Sequence, residues 1–199
     1  MSKTTIPTAG LADAAVTTAK ITDANITTAK IADDAVTAAK ATGIGISNAQ
    51  TFRLSSSFTG SANPIASNWE EVDTDSYGQI GSNVSQSSGI FSFSATGIYL
   101  INWNHVALLN GDDRQVFSAI NVTTNNSSYD IASEVRNFIQ QTSSSGAMST
   151  GGCFHQLDVT DTTNIKVRFE VGVLNSSTET GGDSGYTRTS VQFIRLGDT

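Results

Sequence analysis

Branched apolar residues recur at every fifth position through the first forty residues of the chain. The series runs Ile6, Leu11, Val16, Ile21, Ile26, Ile31 and Val36. An alanine lies two positions before five of the seven members, and Thr4 and Asp34 are the exceptions. Five residues advance the side-chain direction on an α-helix by about 140°, so no helical face collects the series. On a flat strand, successive members would point to opposite faces, because five is odd.

The spacing is typical of a chain that turns a corner at every repeat and directs its apolar residues inward. It resembles the pentapeptide-repeat pattern, in which a small residue lies two positions before a central apolar one. Seven pentads are too few to close a core within one chain, and such repeats need stacked neighbours. We therefore expect residues 11–46 to form an extended trimeric shaft, with the seven pentad residues at its core. The alternative is a disordered arm rich in Ala and Thr.

Beyond residue 50 the pattern changes to the alternation of half-buried strands. Ile165, Val167, Phe169, Val171 and Val173 alternate with Lys166, Arg168 and Glu170. A run at 97–109 places Tyr99, Ile101, Trp103 and His105 on one face. Further runs lie near 51–58, 68–72, 89–94, 115–124, 129–140, 152–160 and 186–197, separated by turn clusters such as SSTETGGDSG at 176–185. Many short strands in about 150 residues predict an all-β sandwich, most simply a jelly roll.

Charge and aromatic content divide the chain at the same place. Four lysines balance four aspartates within the first fifty residues, so the net charge of −7 lies in the remainder. No aromatic residue precedes Phe52, and Gly43 and Gly45 mark the joint. We expect an attachment peptide at 1–10, the shaft at 11–46 and a compact knob at 51–199.

Composition also argues against several classes of function. An acidic chain without a Lys/Arg cluster argues against a nucleic-acid partner. The first ten residues lack the apolar stretch of a secretory signal, and no apolar run approaches the length that inserts into a membrane. The lone Cys153 rules out an intrachain disulfide framework.

Three segments of the knob resemble C1q-like domains. The segment GIFSFSATGIYLINWNHVA at 89–107 is similar to the central strand pair of that family, with its positions filled by Gly89, Phe91, Phe93, Gly97, Ile98 and Tyr99. Segment 154–171 resembles the late strand pair, and TSVQFIRLG at 189–197 resembles the closing strand, with Phe193 at the aromatic position. The collagen-like stalk of the family is missing. The resemblance implies a ten-stranded jelly-roll sandwich that assembles as a trimer, with core or trimer-interface residues Phe91, Phe93, Tyr99, Ile101, Trp103 and Phe193.

Repeats followed by such a knob resemble the small fibre proteins of tailed bacteriophages, on the head or on the tail. That resemblance implies a homotrimeric virion protein, assembled in the host cytoplasm, with its N-terminus on a capsid or tail-adaptor protein. The knob would then face outward, toward a host-surface glycan or protein. The alternatives are a bacterial surface or spore-coat C1q-like protein and a glycan depolymerase.

Candidate chemistry is sparse, and we expect no catalytic site, cofactor or metal. Cys153 and His155 would share a strand face with Leu157 and Val159, but no third metal ligand lies nearby in sequence. Cys153 is better interpreted as a buried small apolar residue, and His105 as a hydrogen-bonded interior or interface histidine. The acidic stretches at 70–75 and 112–113 could bind calcium, but exposed solubilising loops are favoured because their spacing matches no EF-hand. A depolymerase would need paired carboxylates across a groove, and any two of the fourteen acidic residues beyond residue 50 could supply them.

Overall fold

The computed structural model of the chain describes residues 26–27, 31–32, 35–36, 45–141 and 146–199. The chain separates into two units, residues 1–42 and residues 43–199. Most of the predicted shaft lies outside the described residues, as do the attachment peptide and the pentad residues Ile6, Leu11, Val16 and Ile21. The fold described below is that of the second unit.

Twelve strands and two antiparallel sheets make up the described part of this unit. In chain order the strands are β1 (Asn48–Leu54), β2 (Ser56–Thr59), β3 (Trp69–Glu71), β4 (Val84–Ser87), β5 (Ile90–Phe93), β6 (Gly97–Leu109), β7 (Asp113–Thr123), β8 (Asp130–Ile139), β9 (Ala147–Val159), β10 (Lys166–Val173), β11 (Glu179–Asp183) and β12 (Ser190–Gly197). Sheet A has the order β2-β11-β6-β12-β1-β3, and β9 pairs with β6. Sheet B has the order β4-β5-β10-β7-β8.

The strand pairing is that of a jelly roll. Eight strands pair the first with the last and continue inward: β1 with β12, β5 with β10, β6 with β9, and β7 with β8. This nested antiparallel pairing over two sheets is the double Greek key of the jelly roll. With β3 and β4 at the edges, it gives the ten strands that the C1q-like resemblance implies. The predicted all-β jelly-roll sandwich is therefore confirmed.

Three short strands, β2, β4 and β11, were not predicted as separate strands from the sequence. The run at 51–58 divides into β1 and β2, and the Gly-rich cluster at 176–185 contains β11 where a turn was expected. β11 pairs with β2 and with the end of β6. A Cβ on Gly182 would overlap the Ser56 carbonyl oxygen, so its glycine serves a close approach of strands.

The core lies between the two sheets and is organised around aromatic rings. Phe91 of β5 makes ring contacts with Phe52, Trp69, Phe169 and Phe193, at centroid distances of 5.1–5.3 Å. These rings come from both sheets, and the edge-to-face contacts with Phe52, Trp69 and Phe169 stabilise the core beyond simple burial. All six residues that the sequence assigned to the knob core or trimer interface lie within this single-chain core: Phe91, Phe93, Tyr99, Ile101, Trp103 and Phe193.

The sandwich has two ends, which we call the base and the distal end. At the base, Arg195 Nε donates to the Thr96 carbonyl at 2.9 Å, and Nη1 donates to Ser47 Oγ at 3.2 Å. Arg195 also pairs with Asp198. The start of β1 and the C-terminal residues are thereby joined at the base. The turns at 110–112 and 174–178, together with the ends of β8 and β10, lie at the distal end.

Candidate functional site

A buried carboxylate organises the distal end. Asp113 begins β7 and is 1% exposed. Its Oδ2 accepts a hydrogen bond from Thr178 Oγ1 at 2.6 Å, and backbone N–H groups of Leu174 and Asn175 donate to its two oxygens at 3.3 Å. The turn at 174–178 is therefore fixed against the start of β7. Charge-assisted bonds to backbone donors of this kind pre-organise a loop.

Two depressions flank Arg114 on the rim of the distal end. One has a volume of about 410 Å³ and is lined by Asp112, Arg114, Leu174 and Asn175 among others. The other has a volume of about 290 Å³ and is lined by Asp112, Arg114, Phe138 and Gln140 among others. Asp112 and Arg114 thus belong to both depressions. We call the surface formed by Asp112, Arg114, Phe138, Gln140, Leu174 and Asn175 the Arg114 rim.

The acidic stretch at 70–75 is engaged by a buried arginine. Arg53 Nε donates to Glu70 Oε1 at 2.7 Å, and Nη2 donates to Asp73 Oδ1 at 2.9 Å. Arg53 also donates to Thr74 Oγ1 and to the Ser184 carbonyl. The carboxylates of Glu70 and Asp73 thus compensate an interior cation, a role that neither the calcium reading nor the solubilising-loop reading foresaw.

His105 is an interior histidine, as one of its sequence readings predicted. Its Nε2 lies 3.1 Å from Thr180 Oγ1, and its ring is parallel to the Trp103 indole within 3°. Burial lowers the pKa of His105 to about 4, because the surrounding core disfavours the charged imidazolium. The imidazole is therefore neutral at pH 7 and makes a buried contact with the Thr180 hydroxyl.

Cys153 and His155 lie on the inward side of β9 and are both half-buried. The prediction of a buried Cys153 is wrong, because β9 is an edge strand whose inward side is only partly covered by β8. Burial raises the pKa of the Cys153 thiol and lowers the pKa of His155. Both shifts favour neutral groups, and a protonated thiol is a poor nucleophile and metal ligand. Across residues 45–141 and 146–199, no cluster of three or more His, Cys, Asp or Glu could hold a metal ion.

The outer face of sheet A carries apolar residues that the single chain covers only in part: Leu100, Ile194 and Ala49 are half-buried, and Ile80 and Phe154 are exposed. Leu100, Ile194, Ala49 and Ile80 are consecutive cross-strand neighbours in a row near the base. Their chain neighbours Tyr99 and Phe193 point into the core, so Leu100 and Ile194 point outward. Phe154 of β9 lies beside Asn102 on the same face and is 70% exposed. We call Phe154 and the four residues of this row the outer row.

Sequence reasoning missed two residues that shape these surfaces. Arg53 was not singled out, and the Asp112–Asp113 stretch was interpreted as an exposed solubilising loop in preference to a calcium site. The structure buries both Arg53 and Asp113, because each meets several partners that are distant in sequence. Alternation gave no signal for Arg53, because it places this residue on the face of β1 opposite to Phe52 and Leu54.

The described residues contain no helix that is long and apolar enough to cross a membrane. Among the pentad residues, Ile26, Ile31 and Val36 are described, and all three are exposed in the single chain. Their assignment to a shaft core stays a prediction, since no partner chain is present to cover them.

No protein-family model and no curated protein matches the chain. Among solved structures, murine APRIL at pH 8.5 is 11% identical, with a TM-score of 0.48 over 75% of this chain and 98% of the APRIL chain. Eiger TNF from S. frugiperda is 12% identical, with a TM-score of 0.48 over 76% of this chain and 93% of the Eiger chain. Similarity at this level of identity concerns the fold, and the assignment of the jelly roll rests on the strand pairing described above.

Proposed function

We propose that this chain is the subunit of a homotrimeric virion fibre or decoration protein of a tailed bacteriophage. Residues 1–10 attach to a capsid or tail-adaptor protein, and the C-terminal knob adheres to the host surface. The outer row is the main observation that supports the proposed trimer. Phe154 and Ile80 are exposed in a single chain, and large exposed apolar surfaces mark association sites.

The occupant of the outer row is a second copy of this chain. The pentad series independently requires neighbouring copies, because its seven repeats cannot close a core alone. The outer row of the knob and the pentad repeats therefore both favour association with further copies of this chain. Three copies also present three equal distal ends, so weak contacts with the host sum to useful avidity.

The positions of the base and the distal end in the sandwich support outward display of the distal end. β1 starts at the base, where Ser47 accepts a hydrogen bond from Arg195. The distal end lies at the opposite ends of the long strands β6 and β9 and carries turns fixed by Asp113. Binding residues are commonly placed on loops held by a rigid scaffold. The distal turns are therefore the part of the knob assigned to contact with the host.

Native mass measurement and particle incorporation test this proposal. The full chain is expected to have about three times the 20.8 kDa chain mass. Deleting residues 1–10 is expected to leave a folded trimer that no longer joins particles. A stable folded monomer would overturn the trimer, and incorporation of the truncated chain at normal copy number would overturn the polarity.

Two other functions make different predictions. A bacterial surface or spore-coat protein would be found on cells or spores without phage particles, which labelling with an antibody to the knob distinguishes.

A glycan depolymerase would release reducing sugars from host polysaccharide. On the described surface, Asp112 is the exposed carboxylate shared by both rim depressions, while its neighbour Asp113 is buried among hydrogen-bond donors. This arrangement favours binding over the paired-carboxylate chemistry of glycoside hydrolysis.

A further inference from the structure

We propose that the Arg114 rim binds a carboxylated saccharide, a pyranose unit that bears one carboxylate, such as a hexuronate or a sialic acid. This inference rests on the proposed outward display of the distal end and gives that end a ligand class. It places the carboxylate on Arg114, the apolar face of the sugar ring on Phe138, and a sugar hydroxyl on Asp112.

Arg114 is an available cation at the centre of the rim. It is exposed, and it forms no ion pair or side-chain hydrogen bond with any residue of 45–141 or 146–199. This contrasts with Arg53, Arg136 and Arg195, which all pair with carboxylates. A planar guanidinium matches a carboxylate through two parallel N–H···O bonds. One arginine beside Asp112 suits a ligand group with a single negative charge better than a phosphate monoester with nearly two.

Exposed apolar side chains flank the arginine on both sides. Phe138 is the penultimate residue of β8 and is 63% exposed, while Leu174 follows β10 and is 69% exposed. Most aromatic rings of the knob are buried in the core, so an exposed phenyl ring beside a free cation is unusual for this chain. A flat aromatic face accepts the C–H groups of a pyranose ring, and Leu174 offers a second apolar contact.

Polar groups on the rim can form hydrogen bonds with sugar hydroxyls. Asp112 Oδ1 accepts the Gln141 backbone N–H at 2.7 Å, which leaves Oδ2 without a hydrogen-bond partner among the described residues. Gln140 lies in the same depression as Phe138. Asn175 has a structural role, because its Nδ2 donates to the Asp112 carbonyl. The Asp112 backbone is thus held in place before a ligand arrives, which lowers the entropy lost on binding.

The shape of the rim favours a sugar over an extended peptide. Arg114 lies on β7, which pairs with β10 on one side and β8 on the other. A peptide that adds a strand needs an open sheet edge, and β7 is an interior strand of sheet B. The depressions of about 410 and 290 Å³ are instead close in size to small-ligand sites.

Binding of galacturonate oligomers to the full-length protein tests the inference. Saturation-transfer NMR and immobilised-glycan arrays report single-site contact and avidity respectively. We expect the acid form to bind at least tenfold more tightly than the same oligomers with methyl-esterified carboxylates, since the ester removes the charge-assisted bonds. A sialylated trisaccharide and its neutral parent serve as the second pair of probes. Equal binding of acid and neutral forms in both pairs would overturn the inference.

Matched variants locate the site. Arg114→Ala is expected to lower affinity for the acidic probe tenfold or more, and Phe138→Ala to lower it severalfold. Lys166→Ala also removes one cation from sheet B but lies at the base, so it is expected to leave affinity unchanged. An equal loss in Lys166→Ala would show non-specific electrostatic attraction and overturn the site. Binding of a peptide library at Arg114 without binding of either acidic sugar would overturn the ligand class.

These measurements distinguish a wrong ligand class from a wrong assignment of the chain as a fibre protein. The binding measurements use protein in solution, whereas trimer mass and particle incorporation test the fibre. A trimer that joins particles but ignores both acidic probes would refute the inference and leave the fibre standing. Normal mass and melting temperature of each variant show that lost binding is not lost folding.

Discussion

Arg53 Nε lies 2.7 Å from Glu70 Oε1, which joins a fully buried guanidinium to a carboxylate that is one-third exposed. Asp73 forms a second ion pair with Arg53, although the Asp73 side chain is 78% exposed. Removing one partner from a buried cation is costly, because the remaining charge has lost its compensation. The two acidic partners therefore differ in what their removal should do.

Glu70→Gln is expected to lower the free energy of unfolding by about 2 kcal/mol, because Arg53 then lacks its better-buried carboxylate. Asp73→Asn removes the same charge from the exposed partner and is expected to cost less than about 1 kcal/mol. Urea denaturation of both variants measures the difference. Equal effects would mean that burial of Glu70 does not strengthen the pair.

His105 predicts a pH dependence of stability. Its folded pKa is about 4, below the value of about 6.5 expected in the unfolded chain. Between these values the unfolded state binds a proton that the folded state refuses, so stability falls as the pH is lowered from 6.5 to 4. The full effect is on the order of 3 kcal/mol.

Thermal melts of the wild-type chain and His105→Gln over this pH range check that dependence. The readout is the slope, because loss of the Thr180 contact lowers stability of the variant at every pH. His155→Gln is the control for the second histidine. A His105→Gln profile parallel to that of the wild type would contradict the assignment.

Backbone geometry predicts a strong effect at Gly89. Ser88 and Gly89 have φ values of 50° and 77°, as the tight turn between β4 and β5 requires. A Cβ on Gly89 would also overlap the Ile65 carbonyl oxygen. Gly89→Ala is therefore expected to cost about 2 kcal/mol or more. Gly78→Ala is the matched control, since its Cβ would meet nothing within 4 Å. Similar melting temperatures for the two variants would show that the turn adapts.

Strand alternation predicted the strands in which the burial of each side chain follows from its position along that strand. β6 spans Gly97–Leu109, as the sequence indicated, and its alternate residues Tyr99, Ile101 and Trp103 are buried. β11 was missed because its glycines resemble a turn until the strand that approaches them is known. The Arg114 rim was not predicted from the sequence, because its residues come from the start of β7 and the turn before it, the end of β8 and the residue after it, and the turn after β10.

The outer row predicts which surface substitutions disturb assembly. Phe154→Asp places three carboxylates, one per chain, where the proposed trimer buries an aromatic ring. Loss of that burial is worth about 2 kcal/mol per chain before the cost of the charge is added. Phe138→Asp makes the same change at a similarly exposed phenylalanine on the opposite sheet. Sedimentation equilibrium is expected to show dissociation for Phe154→Asp and a trimer for Phe138→Asp. Dissociation of both, or of neither, would exclude the outer row as the contact.

The pentad series predicts a matching effect in the arm. Ile26 is 55% exposed in the single chain, although its spacing is that of an interior residue. If three arms bury Ile26 at one level, Ile26→Asp places three carboxylates together in an apolar interior, at a cost of several kcal/mol. Thr28→Asp adds the same charge between pentad positions and is expected to have little effect.

Trimer melting and particle attachment distinguish an ordered shaft from a disordered arm. In an ordered shaft, Ile26→Asp lowers the trimer melting temperature and reduces attachment, while Thr28→Asp leaves both near the wild-type values. A disordered arm has no reason to treat the two positions differently, because neither side chain is buried. Equal effects of the two substitutions would therefore contradict the shaft while leaving the knob and its outer row untouched.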